Sequence, residues 1–413
     1  MNASSITRSR HKITLALVAS AVTGGALASA GLGAPTANAS CFSIFGIGNS
    51  ADCTSTLFGI ALAIGDGATA HSAGFFGAAY AFGAASTSET SGAFTLATAL
   101  GESGVAGAHG LFGVATSFGG AENTVEAGTA GSILTLATNV FGSNNNVTAQ
   151  GGLSNRATNI GGTHNTVKTQ GSLVNRARNL FGNHNTVTTQ AGYLNAARNG
   201  FGEVNTVTVQ AGSANFARNI FGSHDTVTTQ GGYGNVARNR FGDANNVTTQ
   251  VGQVDLASNL VGTGNTITSQ GGYLNGARNI GGSGNELSVG GLASSYNFVL
   301  NVGGGDSTIS AGSGNLNAGF NVFGTDNEVA AGPGPFSLAG AAFKDNQTVT
   351  KTKPGIAINN FRIGGAASTN GQTSTAPNAK PSRVSKTSQR GTKTVKATRA
   401  TTVSKRAKKN GEE

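Results

Sequence analysis

The chain has 413 residues, 65 of them Gly, with no Trp, one Met, two Cys and six Pro, and only 11% of its residues are charged. Ordinary soluble domains carry ~7% Gly and ~25% charge; here Gly does not recur at every third position, which excludes collagen, and a 38% hydrophobic share with few charges excludes disorder throughout. The net charge of +10 sits at the two ends, with Arg8, Arg10 and Lys12 near the start and eleven Lys/Arg against two Glu over residues 366–413, so the body between them is nearly neutral.

Residues 1–12 are polar and basic, Ile13 to Leu32 is apolar and small, and Ala37-Asn38-Ala39 supplies small residues at the two positions a signal peptidase reads. This pattern predicts a secretory signal peptide over residues 1–39 with cleavage before Ser40. No apolar run long enough to span a bilayer follows it, so no transmembrane span is expected. Cys41 and Cys53 are the only cysteines. In an exported segment they are expected to form one disulfide closing a short loop, within a cap segment over residues 40–59.

From about residue 140 the text is periodic, as in FGNHNTVTTQAGYLNAARNG followed by FGEVNTVTVQAGSANFARNI. Each unit of twenty is two halves of ten, and most halves carry Gly-x-x-Asn. Asn179, Asn199, Asn219, Asn239, Asn259 and Asn279 hold one phase; Ala177, Ala197, Ala217, Ala237, Ala257 and Ala277 hold another, and Val187, Val207, Val227 and Val247 a third. Looser repetition (Gly65, Gly83, Gly101 and Gly119 at a spacing of 18, Val329 and Val349 at 20) extends the region to residues 60–355, with residues 356–365 as its end.

Gly, Asn, Thr and Val are weak helix formers, which excludes helical repeats. Thr-Val-Thr between Gly-Asn punctuation reads as short strands between tight turns. The expected fold is therefore all-β: a β-solenoid with two short strands per ~20-residue coil, coils stacked at ~4.8 Å, followed by a disordered basic tail. Gly is expected to take the positive-φ turn positions, and Asn to bond the same amide one coil on, as a ladder. Ala and Val suit a thin interior. Phe181, Phe201, Phe221 and Phe241 are expected to fill one corner. Arg178, Arg198, Arg218, Arg238 and Arg278 share a phase, and stacked arginines repel by about 0.9 kcal/mol per neighbouring pair even in water. They must face solvent as a cationic stripe, for which solubility and protection from lateral sheet pairing suffice without a dedicated anion track. Phe216, Val236 and Leu256 share that face, which is partly apolar and suited to docking or self-association.

Gln190-x-Gly192-x-x-Asn195-x-Ala197, repeated at 210, 230 and 270, resembles the curlin repeat of bacterial functional amyloids. That resemblance implies stacked coils and a self-assembling fibre. Asn185 to Gln190 is a spacing of five where curlin strands use six, so Asn and Gln fall on opposite faces. The Ala-rich leader and Gly/Asn body also resemble exported repeat proteins of mycobacteria and related actinobacteria, which implies a secreted or cell-envelope location and no catalysis.

No constellation for chemistry stands out. His164, His184 and His224 share a turn phase that holds Val204 and Ala244 in the intervening units, and no carboxylate repeats beside them, so they read as turn residues and not as metal ligands. Asp225, Asp243 and Asp255 occur singly, and the calcium nonapeptide of other β-solenoids is missing. No nucleophile triad, paired carboxylates or P-loop is found, so no enzyme, cofactor or small-molecule substrate is expected. Thr186/Thr188, Thr206/Thr208, Thr226/Thr228 and Thr266/Thr268 place two ranks of hydroxyls on one face, which resembles the ice-binding face of β-solenoid antifreeze proteins. The tail over residues 366–413 spaces Lys380, Arg383, Lys386, Arg390, Lys393, Lys396, Arg399, Lys405, Arg406, Lys408 and Lys409 without aromatics, which suits an anionic polysaccharide or envelope surface, and nucleic acid only non-specifically. It resembles the Lys/Ala/Thr tails of mycobacterial histone-like and heparin-binding proteins. The expected function is an exported, non-enzymatic surface rod, structural or adhesive, held to anionic polymers by its tail; the alternatives are a curli-like fibre subunit and an ice-binding solenoid.

Overall fold

The computed structural model describes residues 40–374 apart from Ser172, Gly192, Gly212, Val251, Leu292, Ala366, Asn370 and Gly371. The expected leader over 1–39 and all eleven tail cations lie outside the described residues. Among the described residues every regular element is a strand, and the chain winds through about 15 turns of a β-solenoid.

Each turn gives one strand to each of two parallel sheets. In the valine sheet, Val147 pairs with Val167 and then, coil by coil, with Val187, Val207, Val227, Val247, Ile267 and Leu287. In the alanine sheet, Ala137, Ala157 and Ala177 stack, as do Ala217, Ala237, Ala257 and Ala277. β-branched residues favour the strands, and side chains alternate across each of them. The Val and Ala columns are buried and belong to one continuous core. Small alanines let the two sheets approach closely, so the interior is only one side chain thick from each side.

Coil length varies, but the inward face does not. Leu96 pairs with Val114 at a separation of 18, Val114 with Leu136 at 22, Leu136 with Arg156 at 20, and Leu338 with Ile356 at 18. Most separations are even, but Cys53 pairs with Ala70 at 17 and Val105 with Thr124 at 19. In those coils too the buried residues meet, Cys53 against Ala70 and Ala106 against Val125, because the pairing register keeps the alternation of side chains in step. The extra residues are therefore absorbed in the turns.

Asparagine supplies the second half of the interior. In the valine sheet the Asn of most Gly-x-x-Asn turns clamps the next coil at two points. Asn185 Nδ2 donates to the carbonyl of Gly202 (2.9 Å), and the Asn205 backbone N–H donates to Asn185 Oδ1 (3.0 Å). The same pair of bonds links Asn165 to Gly182 and Asn185 and Asn265 to Gly282 and Asn285. The turn glycine is fixed by crowding: Gly202 has φ 124°, and a Cβ there would run into the carbonyl of Gly222. The left-handed turn positions, by contrast, are mostly not glycine. They hold Val174, His184, Leu194 and Val204, with φ between 55° and 60°. The expectation that Gly takes the positive-φ turn positions thus holds at the first residue of these turns, where Gly142 to Gly282 have positive φ, and is corrected for the left-handed positions. A β-branched residue there is strained, and the backbone bonds of the coils on either side hold it in place, as Val204 N–H does to the Asn183 carbonyl (3.0 Å).

Both ends of the stack are closed by antiparallel strands. At the N-terminal end, Ser40–Ile44 runs antiparallel to Ile60–Ile64 and folds back on Ile47–Gly48. Cys41 and Cys53 are bonded (Cα–Cα 5.5 Å) and both are buried. Cys53 pairs with Ala70 in the valine sheet and Cys41 with Ala63 in the alanine sheet, so the bond joins the two sheets across the first coil. At the C-terminal end, Gly355–Ile358 pairs antiparallel with Phe361–Gly364, and Thr348–Lys351 with Ala367–Thr369. Lys351 lies in the inward column after Ala311 and Ala331, and its ammonium donates to the carbonyls of Lys353, Pro354 and Gly365. Burial, with Lys353 adding repulsion, pushes that ammonium below the ordinary lysine value. A charged group that points inward at the last coil obstructs further stacking.

Two outcomes follow from this architecture. Asn185→Ala removes both clamps and leaves the Gly202 carbonyl and Asn205 N–H unpaired in the interior, a loss of about 2–4 kcal/mol, whereas Gln190→Ala, on the exposed side, changes stability by less than about 0.5 kcal/mol; chemical denaturation of the two variants measures the contrast. Replacing Cys41 and Cys53 by Ala removes about 3 kcal/mol of loop constraint. Because coils stabilise only their neighbours, hydrogen exchange should rise over residues 60–82 and stay unchanged over 200–300.

Candidate functional site

With one coil stacked on the next, every position in the repeat becomes a column running along the rod, and the candidate sites are columns. The turn histidines form a partial one: His164 and His184 stack with centroids 4.9 Å apart and planes 2° from parallel, each at a left-handed backbone position. Among the described residues no three His, Cys, Asp or Glu side chains are placed to hold a metal ion.

The phenylalanine column corrects the sequence reading. Phe181, Phe201, Phe221 and Phe241 stack nearly parallel with centroids 5.4, 4.9 and 5.5 Å apart, but each is 39–46% exposed. They lie along the outside of the corner and do not fill it. The opposite corner carries a second exposed apolar column, including Phe76, Phe94, Phe112, Leu134, Leu194 and Leu274. Sequence reasoning missed it because its residues change identity from coil to coil. Its signal is an apolar residue at most left-handed positions of that corner, with Ser154 and Gly234 as exceptions.

The arginines stand on the outer face of the alanine sheet. Arg218 pairs with Arg238, Arg238 with Ser258 and Ser258 with Arg278. The carbonyls of Arg178, Arg198 and Arg218 accept from Asn199, Asn219 and Asn239, which sets these arginines one coil apart. Arg178 to Arg238 are half-buried and Arg278 is exposed. Phe216, Val236 and Leu256, also half-buried, run beside them. On the outer face of the valine sheet, Thr186, Thr206 and Thr226 stack in register, as do Thr188, Thr208, Thr228, Thr248 and Thr268. Lys168 and Glu286 bound this patch.

The six phased asparagines are fully inside, and most form the amide ladder. Asn179 donates to Asn159 (2.7 Å), Asn199 to Asn179 (3.0 Å), Asn259 to Asn239 (3.0 Å) and Asn279 to Asn259 (2.7 Å). The ladder breaks between Asn199 and Asn239, and the cause is Asp225. This residue occupies the clamp position of Asn205 and Asn245 and is 1% exposed. Its Oδ2 takes the amide of Asn219 (3.1 Å) and its Oδ1 the backbone N–H and side-chain amide of Asn245 (2.8 and 3.1 Å). Asn219 is thereby turned from its column: Asn199 Oδ1, Asn219 Oδ1 and Asn239 Nδ2 are left without partners. Asp255 interrupts the Asn column of the alanine sheet in the same way; its Oδ1 accepts from the Asn275 N–H (3.3 Å) and its Oδ2 has no partner.

Burial raises the Asp225 carboxyl to about 6, with the Asn245 bonds opposing it and Asp243 adding to the rise. Burial raises Asp255 to about 7 against the bonds from Asn275. Both lie above the ~3.9 of an unfolded chain, so the folded rod binds these protons more tightly. The contribution is fully present below about pH 4 and is lost as pH climbs through 6 to 7. The sequence signal was available: each Asp stands singly where the phase requires Asn. The variant carrying Asp225→Asn and Asp255→Asn is expected to gain roughly 2–4 kcal/mol at pH 8 and nothing at pH 4. Melting curves of the two proteins against pH measure this, and a constant difference between them refutes it.

Among the described residues no helix is long and apolar enough to cross a membrane. In comparisons with known proteins the chain matches no family model, no curated protein and no solved structure.

Proposed function

We propose that this chain is an exported, non-enzymatic rod of the cell surface, structural or adhesive in role, held to anionic polymers by its basic tail. The observation that carries this reading is the closure of both ends. Antiparallel strands, the disulfide at one end and the inward Lys351 at the other stop the coil stack at a fixed length. A curli-like subunit needs open ends on which the next copy continues the stack. The capped ends therefore favour a finished rod that presents its sides, and the curlin-like spacing of Gln, Gly and Asn reflects coil stacking within one molecule.

The columns give such a rod its chemistry. Residues of one kind repeat along the sides, which suits binding to extended polymers better than binding to a small molecule. The Lys/Arg-rich sequence beyond residue 375 supplies a non-specific electrostatic tether, and the signal-peptide pattern of residues 1–39 supplies the route out of the cell. A second reading rests on the in-register double rank of Thr between Thr186 and Thr268, broken at Asn246, a hydroxyl lattice of the kind that orders water.

The test is direct. The mature chain should sediment as a discrete species at high concentration without forming dye-binding fibrils; concentration-dependent fibrils would replace this reading with the fibre subunit. Deleting residues 376–413, which leaves the cap strands in place, should remove most of its salt-sensitive retention on heparin, and unchanged retention would take the tail out of the mechanism. Thermal hysteresis in a freezing assay would promote the ice-binding reading.

A further inference from the structure

We infer that the arginine face of the alanine sheet is a second polyanion site, independent of the tail, which takes a linear acidic glycan laid along the rod axis. The face holds Arg178, Arg198, Arg218 and Arg238 in successive coils, with Arg176 and Arg240 beside them. Coils follow one another at ~4.8 Å, so the column offers one guanidinium per coil. A chain of sugars with one carboxylate or sulfate on each repeats on a comparable length.

Three observations separate this column from an ordinary solvated stripe. First, among the described residues the charges that shift Arg178 and Arg218 are all arginines: Arg198, Arg176 and Arg156 on the one, and Arg198, Arg240 and Arg238 on the other. An anion laid along the column would relieve that repulsion. Second, the guanidinium stems are partly desolvated: Nε of Arg218 and of Arg238 are buried with no hydrogen-bond partner. Burial and the neighbouring arginines both push Arg178 and Arg218 below the ordinary arginine value, a cost that solubility alone does not require. Third, the column runs between columns that are apolar over part of their length, with Arg176 and Arg240 at their ends. Phe216, Val236 and Leu256 lie on one side, and Ile220 and the edge of the stacked Phe column on the other. A charged column between apolar flanks matches a polymer that is itself amphipathic. Acidic sugars present carboxylate or sulfate groups beside C–H faces, whereas inorganic polyphosphate presents charge alone. Guanidinium is also the side chain suited to planar, two-point contact with carboxylate or sulfate.

The arginine face and the tail are separate stretches of the sequence, so the test must read the two separately. In the full mature chain, arginine labelling by phenylglyoxal is followed peptide by peptide, with and without an oligogalacturonate or a heparin oligosaccharide. Protection of Arg178, Arg198, Arg218 and Arg238 by either acidic glycan, but not by a neutral glycan, supports the proposal; the protection should fade as salt rises from roughly 50 to 200 mM. A variant with Arg198→Gln and Arg218→Gln should lose about tenfold in rod protection, while labelling of Arg383, Arg390, Arg399 and Arg406 in the tail stays as it was. Protection confined to the tail arginines overturns this inference and leaves the tail tether standing. Protection confined to the rod supports this inference and removes the tether. Equal protection by linear polyphosphate at matched charge overturns the assignment to a glycan.

Discussion

An amide side chain placed between two copies of itself is at once donor and acceptor, and that property underlies this fold. Each Asn of a Gly-x-x-Asn turn gives its N–H to the Gly carbonyl of the following coil and takes that coil's backbone N–H on its oxygen. Neither bond exists unless the coils are in register. The hydrophobic part of the interior, a Val column against an Ala column, is too thin to specify register alone, since every coil presents the same apolar groups to the next. A net hydrogen bond is worth only about 1 kcal/mol, but an unmade one in a dry interior costs 1–3. The amides therefore act mainly by penalising every misaligned stacking. The pairing register serves the same end, because coils of 17 to 22 residues all return their buried residues to the inside.

Much of this was legible from the order of residues, and the parts that were not have a physical reason. The period, the parity of Ala177 and Val187, and the inward Asn all follow from alternation along a strand, which sequence displays directly. The orientation of Phe181 does not. It lies in a turn, where no parity rule applies, and whether an aromatic ring fills a corner or runs along its outside depends on an interior already filled by Ala and Asn. The glycines mislead for a related reason. Gly202 is required because the carbonyl of Gly222 lies where a Cβ would be, a contact between coils. Other positive-φ turn positions, which the same local rule would also assign to Gly, are held by Val174, His184 and Leu194, since the coils above and below fix the backbone there. A stacked repeat thus moves the control of turn conformation from the residue to its neighbours in space.

Function in such a molecule is distributed by column, and the columns do not all run from end to end. Near the N-terminal cap the position later held by the Asn ladder is Ala63, Ala81 and Ala99, and the outer face of the alanine sheet carries Leu and Tyr there. The arginines of the repeat region begin at Arg156 and end at Arg278. The rod is therefore a framework common to all coils with a charged zone in its middle, and the caps keep that zone at a fixed distance from both ends. An open fibre built from such subunits would repeat the zone indefinitely; a capped rod presents it once.

Asp225 and Asp255 fall within this same zone, and their placement shows what the stack tolerates. Replacing the amide by a carboxylate removes the donor while keeping the acceptor, so the N–H groups of the next coil are still met while the Gly242 carbonyl gets no side-chain amide. The damage spreads sideways, because Asn219 turns to the free carboxylate oxygen and deserts its own column. Two carboxylates in one column at a single coil's spacing would add direct repulsion to that loss. The chain instead puts Asp225 in the valine sheet and Asp255 in the alanine sheet, with intact Asn on either side of each. A lone defect is bridged by its neighbours, since the ladder closes again at Asn259 and Asn279. The charged zone is thus also where the interior is weakest at neutral pH and regains strength on acidification, so the side of the rod that gathers arginines stands over the coils whose stacking responds most to protons.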